Sequence, residues 1–266
     1  MKPKLIAADV DGTLLNSAGE LTERTVSALR EAEKQGIRTM LATGRMCCSG
    51  LVLARKLGMT APCVFYNGSI IMNPVTEEIY FRQELDAGLV SRVLAYYRKK
   101  GWYIQKYVND TLCVVDSSDE RTQYYTAITK VTAVSLGEKF WTEPSVSTKL
   151  LVCAKETEDC APMFEETKRV FGSELYVVGS WKRIFELVHP NVNKARAVAQ
   201  AAEILGISRE DTVCFGDSGN DNEMLRWAGL GVAMGNSGEE TKRAADAVAD
   251  TNDRDGLAKF VESLLA

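Results

Sequence analysis

Histidine is the scarcest reactive side chain in this sequence, because His189 is the only one among 266 residues. A catalytic relay built on several histidines is therefore excluded, and we expect His189 to be structural. The seven cysteines form no CxxC pair, and Cys47 and Cys48 are adjacent, which argues against a zinc site and a disulfide framework. No stretch approaches the roughly 20 apolar residues of a membrane-spanning helix.

An excess of positive charge is also lacking. The 32 basic and 36 acidic residues give a net charge of −4, whereas a nucleic-acid binder needs a basic surface to neutralise phosphates. The apolar run in the opening MKPKLIAADVDGT is too short for a signal-peptide core. We therefore expect a cytoplasmic protein, a monomer or small homo-oligomer, whose partner is a small molecule rather than nucleic acid or membrane.

Strands and helices alternate in the first third of the chain and again in the last third. KLIAADV and IRTMLA are apolar runs typical of buried strands, and Thr22 is placed to cap the helix between them. The last third repeats the pattern, with a helix predicted over 194–205 and a strand over 212–216. This alternation predicts an α/β fold whose core is a doubly wound, Rossmann-like parallel sheet.

The middle of the chain has a different character. Residues 84–186 are richer in aromatic side chains and mix short strand and helix patterns, and the Asn109-Asp110 pair between two strand candidates predicts a hairpin. We therefore expect an inserted α+β domain at 84–186 and a core domain formed by 1–83 and 187–266.

Two acidic clusters follow buried strands at opposite ends of the chain. Asp9 and Asp11 end the first strand in DVDGT, and Asp217 and Asp221 follow a later strand in FGDSGNDNEM. An aspartate at a strand end is often only a turn former or a helix cap. If the two strands are neighbours, however, the carboxylates meet at one edge of the sheet, where they need a hard divalent cation such as Mg²⁺.

Two further segments carry groups that suit a phosphate. Thr43 and Gly44 end the second strand and enter a helix, so a hydroxyl and backbone N–H groups can receive phosphate oxygens there, although a lone Thr-Gly is usually a plain turn. Lys194 at a helix start opposes the helix dipole unless an anion accompanies it; otherwise it is a solvated lysine. Arg45 is as consistent with a surface ion pair as with substrate binding.

Together these segments resemble a known family. DVDGT, LATGR, Lys194 and GDSGNDNEM are similar to the motifs of the haloacid dehalogenase superfamily, and the resemblance covers nearly the whole chain. The insertion and the NGS turn at Asn67 resemble the Cof-type sugar-phosphatase subfamily, which has an α/β cap of the second type (IIB). One departure is Ala195, which stands where such proteins commonly have glycine after the lysine.

The resemblance implies a role for each acidic residue. Asp9 would attack phosphorus and form an aspartyl-phosphate, and Asp11 would protonate the leaving alcohol and then deprotonate water. Mg²⁺ would be held by the side chains of Asp9 and Asp217 and the backbone carbonyl of Asp11, with Asp221 either orienting the ligands or binding directly. Asn220 would contact the phosphate, beside Thr43, Gly44 and Lys194.

The predicted activity is therefore Mg²⁺-dependent hydrolysis of small phosphorylated metabolites. A phosphomutase or other phosphotransferase of the same superfamily and a non-catalytic phosphate-binding module remain as alternatives. The inserted domain can act as a lid that selects substrates. Near its return to the core, Trp181, Lys182, Arg183 and Glu186 can touch the leaving group or can be ordinary surface and core residues of the insertion.

Overall fold

The computed structural model describes residues 2–181 and 183–266, without the side chains of residues 180 and 181. Contacts divide the chain into two units: a core unit, Met1–Arg82 with Asn193–Ala266, and an inserted unit, Gln83–Val192. Among the helices of the described residues, none has the length and apolarity that crossing a bilayer requires.

The first part of the core unit alternates strands and helices before it ends in a small antiparallel sheet. Its elements are β1 (Leu5–Ala8), α1 (Glu23–Lys34), β2 (Arg38–Leu41), α2 (Cys47–Leu57), β3 (Cys63–Phe65), β4 (Ile70–Met72) and β5 (Ile79–Arg82). As predicted, the Thr22 side chain accepts a hydrogen bond from the backbone N–H of Thr25 and caps α1. Gly58 ends α2 in the left-handed conformation that glycine adopts readily.

The inserted unit is built on a sheet with helices packed against it. Its elements are α3 (Ala87–Lys100), β6 (Gln105–Val108), β7 (Thr111–Val114), α4 (Glu120–Thr129), β8 (Ala133–Ser135), α5 (Lys139–Thr142), β9 (Leu150–Cys153), α6 (Ala161–Phe171), β10 (Tyr176–Trp181) and β11 (Ile184–Val188). The six strands run in the order β10-β11-β9-β6-β7-β8. Asn109 and Asp110 take positive φ between the antiparallel β6 and β7, which confirms the predicted hairpin.

The second part of the core unit returns to alternating strands and helices. Its elements are α7 (Lys194–Ile204), β12 (Thr212–Gly216), α8 (Asn222–Trp227), β13 (Leu230–Ala233), α9 (Glu239–Ala244), β14 (Ala247–Val248) and α10 (Gly256–Leu265). The five-stranded parallel sheet has the order β14-β13-β12-β1-β2. Strand order therefore reverses between β1 and β12, as in a doubly wound sheet, and the predicted fold class is confirmed.

The second predicted domain boundary was misplaced. A boundary between residues 186 and 187 cuts through β11, which pairs with β9 on one side and β10 on the other. The chain therefore completes the inserted sheet before it leaves this unit, and the division lies after Val192. The first boundary, after Arg82, differs by one residue from the prediction.

A buried ion pair crosses two strands of the inserted sheet. The ammonium Nζ of Lys149 lies 2.8 Å from Oε1 of Glu186, and the two side chains are only 1% and 5% exposed. The same ammonium lies 4.9 Å from the ring centre of Tyr107. Glu186, one of the residues considered for leaving-group contact, is thus bound to a lysine of its own unit.

We predict that Glu186→Gln destabilises the inserted unit by about 3–5 kcal/mol, because it leaves the buried charge of Lys149 without its carboxylate. The measurement is urea unfolding followed by tryptophan fluorescence, since Trp102 and Trp141 lie in this unit. The matched control is the double variant Lys149→Met with Glu186→Leu, which removes both charges and should lose far less. Unfolding of Glu186→Gln at the same urea concentration as the wild type would contradict the prediction.

Candidate active site

Adjacent strands bring the two acidic clusters together. β1 pairs in parallel with β12, and the backbone N–H of Asp9 donates to the carbonyl of Phe215 at 3.0 Å. Asp9 and Asp217 therefore leave neighbouring strands at the same edge of the sheet. One carboxylate oxygen from each of Asp9, Asp217 and Asp221 lies within 4.8 Å of the others.

Lys194 lies between two of these carboxylates. Its ammonium is 2.6 Å from Oδ1 of Asp9 and 2.7 Å from Oδ1 of Asp221, and the lysine side chain is 1% exposed. Lys194 is the first residue of α7, and the Asn193 side chain caps that helix by accepting the backbone N–H of Arg196. The two aspartates supply the anions that a cation at a helix start requires.

The charge of this cluster is not balanced by the protein. Three carboxylates and one ammonium leave two negative charges, and burial makes such an excess costly. Burial, with repulsion from Asp221 and Asp217, raises the pKa of Asp9 well above its ordinary value. Burial and Asp221 also raise the pKa of Asp217 to about 7. For Lys194, burial alone would lower the pKa, but Asp221 and Asp9 outweigh it and raise the pKa above its usual range.

This donor set fits a hard divalent cation. Carboxylate oxygens are the ligands that Mg²⁺ prefers, and two positive charges equal the deficit of the cluster. Asp9, Asp217 and Asp221 are the side chains that would hold the ion.

Asp221 is oriented by donors on both of its oxygens. Lys194 occupies Oδ1, while Oδ2 accepts the backbone N–H groups of Asp217 and Ser218, each at 3.1 Å. The strand end approaches so closely that a Cβ on Gly216 would lie 2.4 Å from Cβ of Asp221. Glycine is therefore required there, and Asp221 fixes the loop that follows β12.

Gly12 and Thr13 shape the loop after Asp11. Gly12 has φ +84, and a Cβ on it would lie 2.5 Å from Oδ2 of Asp217. The Thr13 hydroxyl donates to Oδ1 of Asp217 at 3.0 Å. The DVDGT motif predicts only a sharp turn at Gly12 and Thr13, so this hydrogen bond to Asp217 is a further role for Thr13.

Asp11 is separate from the three clustered carboxylates. Its side chain forms a bidentate ion pair with Arg45, at 2.8 Å from Nε to Oδ2 and 2.6 Å from Nη2 to Oδ1. Arg45 is 17% exposed, so this pair is partly buried rather than a pair on the open surface. A bidentate guanidinium fixes the plane of the carboxylate as well as its position.

The predicted phosphate-binding residues lie on loops of the same unit. Thr43 is 1% exposed, and its Oγ1 accepts the backbone N–H of Arg45 at 3.1 Å. The side chain of Asn220 donates from Nδ2 to Oδ1 of Asn67 at 3.0 Å, and its own Oδ1 accepts the Ser218 hydroxyl at 2.6 Å. The sequence predicts Asn67 only as a turn residue, and the structure adds this contact with Asn220.

The C-terminal segment also holds the loop that follows Asp11. Nδ2 of Asn236 donates to the Gly12 carbonyl at 2.9 Å, and Oδ1 of Asn236 accepts the backbone N–H of Asn252 at 3.0 Å. Nδ2 of Asn252 in turn donates to the Leu15 carbonyl at 2.9 Å. Helix α9 begins at Glu239, after this loop.

The remaining candidates have local partners or lie outside the description. Nδ1 of His189 accepts the backbone N–H of Asn191 at 3.2 Å, a contact within one turn. The Arg183 guanidinium lies 3.9 Å from the ring centre of Tyr124, within the inserted unit. Lys182 and the side chain of Trp181 lie outside the described residues.

Comparisons with known proteins show what this chain is similar to. The sequence pattern of the haloacid dehalogenase-like hydrolases matches residues 6–261. Phosphatase YwpJ of Bacillus subtilis (strain 168) is 28% identical, over 98% of this chain and 100% of that protein. The phosphatase YcsE of the same organism, named for 5-amino-6-(5-phospho-D-ribitylamino)uracil, is 31% identical over 97% of this chain and 94% of that protein.

A solved structure of a haloacid dehalogenase-like hydrolase matches the fold of nearly the whole chain. The crystal structure of a haloacid dehalogenase-like hydrolase from Bacteroides thetaiotaomicron has a TM-score of 0.89 and 31% identity, and the match covers 99% of this chain and 100% of that one. The resemblance drawn from the sequence motifs is therefore confirmed. The chain belongs to the haloacid dehalogenase-like hydrolase family and is an enzyme of its phosphatase group.

Proposed function

We propose that this enzyme is a Mg²⁺-dependent phosphatase that hydrolyses small phosphorylated metabolites in the cytoplasm through an aspartyl-phosphate on Asp9. The observation that carries the proposal is the buried cluster of Asp9, Asp217 and Asp221 around Lys194, with its two unbalanced negative charges. A bound divalent cation would supply the missing positive charge and draw electron density from the phosphoryl oxygens.

The proposed reaction gives the two N-terminal aspartates different roles. A carboxylate oxygen of Asp9 forms a bond to phosphorus while the bond from phosphorus to the alcohol oxygen breaks, and Asp11 gives that oxygen its proton. Water then attacks the same phosphorus, its proton passes to Asp11, and cleavage of the bond to Asp9 releases inorganic phosphate. Both oxygens of Asp11 accept from Arg45 in the structure, so this ion pair has to open before Asp11 can take up the proton that it gives to the leaving oxygen.

Four residues of the core unit are proposed to hold the phosphoryl group. Three different segments supply these groups: the Thr43 hydroxyl and the Gly44 backbone, Lys194, and Asn220. All of them are assigned to the phosphoryl group and none to the leaving alcohol. Because every candidate substrate shares the phosphoryl group, selectivity must come from elsewhere. We assign it to the inserted unit, with Arg183 as the described residue to test.

The substrate class is proposed from the relatives and from the chemistry of the site. YcsE is named for a substrate that carries a phosphorylated ribityl chain, and such a polyhydroxylated phosphate ester is the kind of molecule that we expect here. A phosphomutase would instead return the phosphoryl group to a second sugar phosphate and would release little inorganic phosphate.

Metal removal should abolish activity and change the pH dependence of stability. The pKa of Asp217 is raised from 3.8 to about 7, so between about pH 4 and 7 the folded metal-free protein keeps a proton that the unfolded chain has lost. Relative to Asp217→Asn, which lacks this group, the free energy of unfolding of metal-free protein should therefore fall as pH rises through this window. Mg²⁺ should restore stability, most strongly near pH 7 and above.

This prediction is checked by thermal unfolding with and without Mg²⁺ across the pH range, beside phosphate release from an aryl phosphate. Chelator should stop turnover, and excess Mg²⁺ should restore it. Full turnover by protein stripped of metal, or a metal-free stability that changes with pH in parallel with that of metal-free Asp217→Asn, would contradict the charge balance.

Substitution of the two N-terminal aspartates should separate their roles. Asp9→Asn should abolish turnover and covalent phosphorylation, because an amide is a poor nucleophile. Asp11→Asn should slow turnover by roughly 10²- to 10⁴-fold, and most for alkyl phosphates, whose leaving groups need a proton. The measurement is kcat/KM on matched aryl and alkyl phosphates. Equal impairment of Asp11→Asn on both would exclude the acid role.

Substitution in the inserted unit should reorder substrate preference. Arg183→Met is expected to change kcat/KM unevenly across a panel of phosphorylated metabolites, because losing one polar contact costs about 1–3 kcal/mol for those substrates that make it. A generic aryl phosphate should be affected little. A uniform change over the whole panel would show that Arg183 does not select substrates.

A further inference from the structure

The turn between β3 and β4 has an unusual backbone. Three consecutive residues are left-handed: Tyr66 with φ 53, Asn67 with φ 56 and Gly68 with φ 110. Only the last is a glycine, and a bulky residue such as Tyr66 is rarely found in this conformation. Such strain persists only where the surroundings hold it, and it is concentrated at functional sites.

Two backbone hydrogen bonds tie this turn to the loop that carries Thr43 and Gly44. The N–H of Tyr66 donates to the Arg45 carbonyl, and the N–H of Asn67 donates to the Thr43 carbonyl, each at 3.0 Å. Because a trans peptide is planar, the C=O of Thr43 and the N–H of Gly44 point in opposite directions. The bond to Asn67 therefore turns the Gly44 N–H away from the turn.

The side chain of Asn67 links this loop to Asn220. Asn67 is 2% exposed, and its Oδ1 accepts a hydrogen bond from Nδ2 of Asn220 at 3.0 Å. Its amide also lies directly against Gly44, where an added Cβ would be 3.1 Å from Oδ1 of Asn67. One side chain therefore spans two of the loops that we propose to hold the phosphoryl group.

Gly68, the next residue, contacts the third of these segments, the start of α7. A Cβ on Gly68 would lie 2.5 Å from the backbone carbonyl of Asn193, the residue that caps the helix beginning at Lys194. The turn therefore packs against the start of that helix with no room for a side chain. Three segments that are distant in sequence meet at Tyr66, Asn67 and Gly68.

We propose that Asn67 is a positioning residue for the phosphoryl-binding groups: its left-handed turn holds the Thr43–Gly44 loop and its amide holds Asn220. Asn67 acts on the substrate through Asn220 and through Gly44, not by itself. This inference rests on the proposed function, because it assumes that these groups bind phosphate.

The test is a double-mutant cycle between Asn67→Gly and Asn220→Ala in the full chain. Glycine keeps the left-handed backbone and removes only the amide. Two quantities are measured with Mg²⁺ present: the affinity for inorganic phosphate by calorimetry, and kcat/KM on an aryl phosphate. Asn67→Gly alone should weaken phosphate affinity about tenfold, within the range found for coupled contacts. Added to Asn220→Ala, it should weaken affinity little further.

The matched control is Asn109→Gly, which makes the same change at another left-handed asparagine, in the exposed hairpin of the inserted unit. It should leave phosphate affinity and turnover unchanged. Independent, multiplicative effects of Asn67→Gly and Asn220→Ala would overturn the proposal, because Asn67 would then not act through Asn220. A further outcome is that neither the wild type nor any variant hydrolyses the ester, while the effects of Asn67→Gly and Asn220→Ala on phosphate affinity are still coupled. In that case the proposed function fails and the positioning role stands.

A second variant covers the case in which Asn67→Gly does not fold. Asn67→Ala removes the same amide and keeps the Cβ and the more restricted backbone of a non-glycine residue. Its loss of phosphate affinity should be largely absent when Asn220 is already alanine. An undiminished loss in that background would also overturn the proposal.

Discussion

The site depends on the ion pairs that the Lys194 ammonium forms with Asp9 and Asp221. Asp9 and Asp221 are each almost fully buried, and two carboxylates at such close range repel one another unless a cation lies between them. Lys194 supplies that cation from the first turn of α7, and Asn193 fixes where the turn begins. The ion pairs of Lys194 do not include Asp217, and we propose that a divalent cation supplies the further positive charge there.

Close backbone approach gives the site its precision. Gly12, Gly44, Gly68 and Gly216 each lie where a Cβ would press on a neighbouring site residue or on the backbone of its helix. Their small size lets four loops from distant parts of the sequence pack directly on one another. Close packing of these loops thus acts together with the ion pairs and side-chain hydrogen bonds to hold the carboxylates and the proposed phosphate-binding groups in place, as preorganised electrostatic stabilisation requires.

The sequence predicted those features that depend on local pattern. Apolar runs located β1 and β12, and the strand-end rule then placed Asp9 and Asp217 at one edge. It did not predict contacts set by tertiary packing, such as Asp11 with Arg45 or Asn67 with Asn220. Helix α4 and strand β8 escaped notice because they have little amphipathic pattern: of the ten residues of α4, only Thr122 and Tyr125 are buried. The boundary in β11 was misplaced for a different reason: only strand pairing shows where the inserted sheet ends.

The central claim is that the buried acidic cluster is completed by one divalent cation. It is tested most directly by titrating metal-free protein with Mg²⁺ in calorimetric runs at pH 7, in buffers of different ionisation enthalpy. The account predicts one Mg²⁺ per chain and net release of protons, because Asp9 and Asp217 have raised pKa values that the ion would lower. Asp217→Asn should weaken binding and reduce the proton release. Mg²⁺ binding without proton release, or no Mg²⁺ binding at pH 7, would contradict the account.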